Sequence, residues 1–554
     1  SDGLNFHITQ YLTIAVSVKL SVFNLSTKLG IFCDITKIKA IFVNNFMTDY
    51  KEHSERIAKN TLMLYVRMLF MMFLGLFTSR IVLQALGEND FGIYNVVGGV
   101  VAMFTIISGA LNSAVSRFIT FEMGKGSDAQ LNKVYSTAVT IQIILSLVVV
   151  MLAEPVGLWF IDNRMNIDPS RIPAARWVLH FSILAFVINL MSVPQMASIT
   201  AHERMSAYAY IGILEGILRF SVALAISRSG SDRLVLYAVL MAMSVLVVRT
   251  AYGIYCRRHF HECRYRPVLD SKLLKEMFSF AGWNFIGVTA GVCRDHGGNI
   301  LVNIFSGPAV NAARGIAIQL NGAVQGFVTN FMTAVNPQIT KSYASGEHDY
   351  MLSLVRKASR MSYYLLLILV VPVVFNVDYL LGIWLKEVPA DTSVFAVLFL
   401  VLSLSESLSN PLMTATLATG RIRNYQIIVG GLIMLNLPVS YLCLKAGAPP
   451  ESTVVVAIVI SQLCLFARLL LLKRMIGFPV KDFIARVYVN VIVVTAAAVV
   501  VPVVISPYIG DGFGGFVIMA SACVISCAIS VLLIGCSKKE RTELWDFMMR
   551  RIGR

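Results

Sequence analysis

Hydrophobic stretches of membrane-spanning length recur from about residue 61 to residue 536, with only short polar loops between them. An apolar helix needs about 20 residues to cross a bilayer. Backbone exposed to lipid must satisfy its hydrogen bonds internally, so each stretch is expected to be helical. The expected spans are 61–83, 91–113, 133–153, 174–200, 206–227, 234–255, 277–305, 309–340, 360–384, 392–418, 424–445, 452–475, 484–507 and 514–536, about fourteen in all. Hydrophobic residues make up 57% of the chain and charged ones 14%, and no segment between spans is long enough to fold by itself. The fold class is therefore all-α and polytopic, within a membrane.

The formal charge of +16 would suit nucleic acid, but its placement points elsewhere. One set of alternate loops carries Arg257, Arg258, Arg264, Arg266, Lys272 and Lys275, then Lys341, Arg356, Lys357 and Arg360, then Lys473, Arg474, Lys481 and Arg486. The other set, at 84–90, 306–310 and 507–513, is nearly bare. With the segment before the first span and the basic tail, the first set holds about four times as many Lys and Arg as the second. This asymmetry is a topology signal that puts both termini in the cytoplasm, and no nucleic-acid partner is expected. The nine cysteines are odd in number and scattered, so no disulfide framework is implied. Residues 1–46 open without Met and lack the layout of a secretory signal; they are expected to be a peripheral extension, with Met47 a more natural beginning.

The chain repeats itself. Leu86, Gly87, Phe91 and Gly92, followed by Arg117–Phe118–Ile119–Thr120 and a loop at Gly124–Asp128, recur as Ser306, Gly307, Asn311 and Ala312, then Pro337–Gln338–Ile339–Thr340 and Ser345–Asp349. Gly307 follows Gly87, and Pro337 follows Arg117, by 220 residues without a gap. Internal repeats of this kind are common in secondary transporters. With six spans in each copy, the repeats run parallel. The expected organisation is an extension at 1–46, a six-helix lobe at 47–256, a cytoplasmic linker at 257–276, a second six-helix lobe at 277–480, an added helix pair at 481–536 and a basic tail at 537–554. Two such lobes suggest a cavity between them and alternating access by rocking.

Ionisable side chains inside spans are costly and usually face a cavity or a partner. Here they are Arg67, Arg80, Glu215, Arg219, Arg249, Arg294, Asp295, His296, Arg314, Glu406 and Arg468, mostly arginine. Guanidinium forks suit phosphate oxygens, so a cavity of this sign would draw anions. In the seventh span Asn284, Gly287, Gly291, Arg294, Asp295 and Gly298 share one helical face. That face either admits a ligand or packs a neighbouring helix through small residues, with Arg294 and Asp295 as a structural pair. In the eighth span Asn311, Arg314, Gln319, Asn321, Gln325, Asn330 and Asn336 cover about half the cylinder, which suits a wet path or interhelical hydrogen bonding. The Asn336–Pro337 step suggests a kink. Glu215 and Arg219, four apart, are expected to pair. Glu406, beside Ser403, Ser405 and Ser407, is either a proton or cation carrier or a hydrogen-bonded structural acid. The binding candidates are Arg67, Arg294, Asn299, Arg314, Gln319 and Asn330; the ion-coupling candidates are Asp295, Glu406 and Glu215.

Cys256, His259, His261 and Cys263 crowd four donors into eight positions among arginines, so no metal is expected there. Gly510-Asp511-Gly512-Phe513-Gly514-Gly515 matches a dinucleotide-binding pattern without its strand and helix, and reads as an outer turn. Trp545, Phe547 and Met548 among basic residues suit an interfacial helix. No phosphate-cradling loop ending in Gly-Lys-Ser/Thr occurs, and no cofactor is expected.

The run Gly307-Pro308-Ala309-Val310-Asn311-Ala312-Ala313-Arg314-Gly315-Ile316-Ala317, with Ala334-Val335-Asn336-Pro337-Gln338-Ile339-Thr340-Lys341-Ser342-Tyr343-Ala344, resembles the polysaccharide-biosynthesis flippases. So does Leu86-Gly87 through Phe91-Gly92-Ile93-Tyr94-Asn95. These belong to the multidrug/oligosaccharidyl-lipid/polysaccharide exporter superfamily, and the resemblance covers about residues 50–480. It implies a MATE-like pair of six-helix lobes in a bacterial inner membrane. The implied cargo is an undecaprenyl-pyrophosphate-linked oligosaccharide for O-antigen, lipopolysaccharide or another surface polysaccharide. Membrane lipids, H+ or Na+, and a polysaccharide polymerase are the implied partners. An ion-coupled multidrug or metabolite exporter of the same fold is the alternative. A non-transporting scaffold or a glycan-assembly enzyme finds no support in paired carboxylates or a metal motif, so no catalysis is expected.

Overall fold

The computed structural model describes residues 35–542 apart from 103, 164, 166, 231, 268–269, 386–387, 511 and 538–539, with side chains from Asn60 onward except at 76, 79, 83, 88, 95, 99–100, 102, 105–106 and 308. Most of the expected extension at 1–46 and the tail residues Trp545, Phe547 and Met548 lie outside the described residues. Ser1–Lys59 forms a unit of its own, and the expected boundary at 46/47 falls inside helical backbone that begins at Ile35. Asn60–Arg554 is the second unit, and everything below concerns it.

Its helices are α1 (Asn60–Gly87), α2 (Thr105–Lys125), α3 (Asp128–Asn163), α4 (Pro169–Ala201), α5 (Met205–Arg228), α6 (Arg233–His259) and α7 (Ser271–Ala344). They continue as α8 (His348–Phe375), α9 (Val377–Trp384), α10 (Thr392–Thr419), α11 (Arg423–Lys445), α12 (Ser452–Ile476), α13 (Val480–Tyr508) and α14 (Phe513–Gly535). Among the described residues, eleven helices are long and apolar enough to cross a membrane. The remaining expected spans, 91–113, 277–305 and 309–340, are also helical, apart from a break around Phe104. Polar residues such as Asn284, Arg294, Asp295, Asn311 and Arg314 make 277–305 and 309–340 less apolar than the eleven.

The repeat is visible in the backbone. Gly87 (φ 75°, ψ 171°) and Gly307 (φ 83°, ψ −180°) interrupt their helices in the same way. This region is open essentially to glycine alone. Gly126 and Gly346, again 220 apart, both take left-handed φ, at 74° and 82°, at the turns after α2 and α7. At the expected Pro337 kink, by contrast, α7 keeps helical angles; its one non-helical residue is Gly307. α8 begins well before the expected residue 360, so Arg356 and Arg360 belong to a helix rather than a loop. Its charged first turns pair with Asp482 of α13 and with Glu540 beyond α14. Higher up, Tyr363 bonds Thr495 at 2.9 Å, and Tyr364 reaches Asn490, so α13 and α14 dock on α8.

Apolar cores gather within two stretches of sequence. One cluster joins Ile93, Val149, Val178, Leu179 and Leu234; another joins Val82, Val222, Ile226 and Tyr237. Downstream, Ala313, Phe395, Phe399 and Val454 form a third, and Tyr425, Val429, Ile460 and Cys464 a fourth. The largest cluster lies where the stretches meet: Val115, Phe118, Ile119 and Tyr252 pack with Met277, Phe280 and Ile422. Where such residues lie within the membrane, close van der Waals packing rather than release from water holds the helices together.

Candidate functional site

The basic loops and the helix ends beside them form one end of the bundle, and the two stretches are tied together from that end to about mid-helix. Gly124 of α2 abuts α7 so closely that a Cβ there would lie 2.8 Å from the Lys341 carbonyl oxygen. Arg117 donates to the Ala418 carbonyl at 3.1 Å and lies over the rings of Phe118, Phe121 and Phe280. Glu203, in the tight turn between α4 and α5, adopts φ 57°. It accepts hydrogen bonds from Lys341 Nζ at 2.8 Å and Gln338 Nε2 at 3.1 Å. Its neighbour His202 stacks on Phe260 and bonds Glu262 at 2.6 Å. Burial alone would raise the Glu262 carboxyl, but the His202 hydrogen bond and nearby histidines outweigh it and hold the group below its ordinary value. Leu64, Met205 and Ala334 close the seam with apolar contact.

At mid-depth the second stretch carries a polar centre. Arg294 of α7 donates from Nη1 to Glu406 of α10 at 2.5 Å and from Nε to Asp295 at 2.9 Å. Arg294 is one-fifth exposed and Glu406 just over a quarter, whereas Asp295 is mostly exposed. Arg294 and Glu406 line a cavity of ≈ 180 Å³ together with Ser409, Asn410, Ser461 and Arg468. Glu406 and Asn410 also line a second cavity of ≈ 170 Å³, with Gln325, Thr329, Ser403 and Ser407. Glu406 and Asn410 are one helical turn apart and so share a face. Part of the wall around them is bonded: Gln325 donates to Ser403, Ser403 to Asn321, and Ser405 meets Ser461 at 2.7 Å.

The small-residue face on α7 packs against other side chains at Gly287 and Gly298. Gly287 makes room for Gln426, whose Oε1 would lie 2.1 Å from an added Cβ, and Gly298 makes room for the Arg314 guanidinium at 2.5 Å. Asn284 is buried; it accepts from Gln426 at 3.0 Å and donates to the Ala110 carbonyl at 3.3 Å. These residues pack helices, while Arg294 faces the cavity.

The other sequence candidates are scattered. Arg314 is buried; it donates to Asn299 at 2.7 Å and Thr453 at 3.2 Å, and sits 5.1 Å from the centre of the Phe399 ring. Neither Arg314 nor Asn299 lines the two cavities. Gln319 is exposed, and Asn330 donates back to the Gly326 carbonyl of its own helix at 2.8 Å. Arg67 lies in the first stretch over Tyr208 and presses against Gly212. Glu215 is bonded to Arg219 at 2.7 Å, as the four-residue spacing predicts. Cys256 and Cys263 are buried, and among the described residues no group of three or more His, Cys, Asp or Glu is placed to hold a metal.

Sequence reasoning missed three parts. Arg468 stood among the intramembrane charges, but nothing linked it to Arg294, 174 positions away. Ser409 and Asn410 were overlooked, although their spacing from Glu406 places Asn410 on its face. Glu203 drew no attention, because a left-handed φ at a non-glycine residue leaves no mark in sequence.

Comparison with known proteins is consistent with this architecture. The family model described as polysaccharide biosynthesis protein matches residues 57–343. The "Uncharacterized membrane protein EpsK" of Bacillus subtilis (strain 168) is 20% identical over 300 residues, 53% of this chain; the match spans 58% of that protein's length. Among solved structures, a MATE in the bent conformation superposes with a TM-score of 0.66 at 10% identity, covering 76% of this chain and 96% of the other. The outward-facing conformation of a multidrug resistance MATE family transporter of the MOP superfamily gives 0.64 at 12% identity, covering 76% and 97%. The structural likeness shows the fold, that of the MATE structures. The chain, a multi-pass membrane protein, belongs to the polysaccharide biosynthesis protein family.

Proposed function

We propose that this transporter is a flippase for lipid-linked oligosaccharide repeat units, an undecaprenyl-pyrophosphate carrier with its glycan, crossing a bacterial inner membrane for O-antigen or other surface polysaccharide assembly. The two repeats, 47–256 and 277–480, act as lobes that rock about the seam, with 481–536 as an added pair and both termini cytoplasmic. The observation that carries this reading is the Arg294 guanidinium, set midway along a helix and lining a cavity rather than lipid. An arginine at that depth is costly unless it is partnered or used, and its planar fork matches phosphate oxygens. Arg67, Asn299, Arg314, Gln319 and Asn330 supply further contacts to headgroup and sugars as the lobes move. Glu406, with Asp295 and Glu215 as lesser candidates, couples H+ or Na+ to transport, and a polysaccharide polymerase receives the product. Closure of the basic end by Glu203, Lys341, Gln338 and Arg117 supports a state open to the opposite face. A drug exporter is less well supported, since Arg67 rests on Tyr208 with no carboxylate bonded to it among the described residues.

The test is surface glycan in a deletion strain complemented with Arg294→Ala. The expected result is loss of surface glycan with the variant still present in the membrane. Normal surface glycan with Arg294→Ala would overturn the assignment of the site.

A further inference from the structure

The ≈ 180 Å³ cavity holds more positive charge than its own carboxylate answers. Arg294 is bracketed by two acids, Glu406 through Nη1 and Asp295 through Nε. Arg468 comes from α12 on the opposite wall. Its Nε donates to the Tyr425 hydroxyl at 3.2 Å, and among the described residues no carboxylate bonds its guanidinium. Ser409 on α10 lines the same space, is only 4% exposed, and its hydroxyl has no hydrogen-bond partner among the described residues. A buried hydroxyl left unbonded is costly, and so is a second guanidinium that must share the cavity's one lining carboxylate, Glu406, with Arg294. Both costs are removed by one kind of ligand, an oxyanion that accepts from Arg468 and Ser409 while its charge balances the second arginine.

Glu406 stands in the way of such a ligand. Its carboxylate already occupies one arm of Arg294, in the manner of a bound oxyanion. Glu406 also borders the second cavity, beside Gln325, Thr329 and Ser403, which gives the side chain somewhere to turn when it lets go.

We propose that the cavity between α7, α10 and α12 is an oxyanion site built from Arg294, Arg468 and Ser409, in which Glu406 acts as an intramolecular competitor for the ligand. The ligand is a diphosphate or a sugar carboxylate, since a guanidinium pair recognises either. This deepens the flippase reading and rests on it for biological meaning: the site takes the charged part of the cargo, and Glu406 displaces it to complete release.

The experiment uses the full chain in nanodiscs of zwitterionic lipid, with inorganic pyrophosphate and glucuronate as separate radiolabelled probes. Glu406→Gln is expected to tighten binding of at least one probe about tenfold or more, a change of about 1.4 kcal/mol. Arg468→Gln in that background is expected to return affinity to the wild-type level or below. Arg468→Lys, which keeps the charge but not the fork, should fall between and serves if Arg468→Gln does not fold. Tighter pyrophosphate assigns the site to the carrier diphosphate; tighter glucuronate assigns it to an acidic sugar. No gain in Glu406→Gln for either probe, or a gain that neither Arg468 variant reduces, overturns the proposal. Surface glycan separates the two readings. Tight probe binding with normal glycan in Arg468→Gln would leave the site standing and remove its tie to the flippase. Lost glycan in Arg294→Ala without probe binding in Glu406→Gln would do the reverse.

Discussion

Gly87 and Gly307 take the same unusual backbone angles 220 residues apart, and neither has an atom within 4 Å of where a Cβ would stand. An alanine at either therefore meets a conformational cost alone, about 1–3 kcal/mol in this glycine-only region. Gly315, also in open space but with helical φ, offers a control. Gly307→Ala is expected to lower the melting temperature in detergent, whereas Gly315→Ala leaves it unchanged or raises it, as helix propensity predicts. Equal effects in both variants would contradict this account of the break. These glycines were legible in sequence because the repeat aligned them without a gap. The Arg294–Glu406 pair was not, because 112 positions separate its members and no local spacing links helices so far apart.

Hydropathy located the helices well where a span is long, apolar and unbroken, as in α12, α13 and α14. It erred where charge extends a helix past the membrane. The first turns of α8 carry Arg356 and Arg360, which are stabilised by Asp482 and Glu540 rather than by water alone. It was also silent on the short turn between α4 and α5, whose Glu203 ties α7 across the seam. The Glu203–Lys341 pair is largely buried, with side-chain exposures of 11% and 26%, so its charged hydrogen bonds are worth about 1.5–3 kcal/mol. Glu203→Gln is accordingly expected to favour opening at the basic end about tenfold. The probe is Ala334→Cys, whose side chain is fully buried in the seam, labelled by an impermeant maleimide against the parent protein's background. Faster labelling in Glu203→Gln is the expected result; an unchanged rate would show that this pair does not hold the seam shut.

For the molecule as a whole, the duplicated sequence prepares two similar helix sets, and the structure distributes polarity between them unequally. The second set carries the cavities with Arg294, Glu406 and Arg468, while in the first Arg67 is spent on an aromatic stack and Glu215 on Arg219. Sequence could list these charges but not sort them, since sorting depends on which helices face each other. The measurement that reaches furthest is translocation of a lipid-linked oligosaccharide in proteoliposomes holding only this protein, followed by protection of the glycan from an external glycosidase. Wild-type protein is expected to move the glycan across the bilayer, and Arg294→Gln to slow it at least tenfold with reconstitution unchanged. Wild-type rates from Arg294→Gln, or no translocation by the intact protein under any ion gradient, would contradict the account.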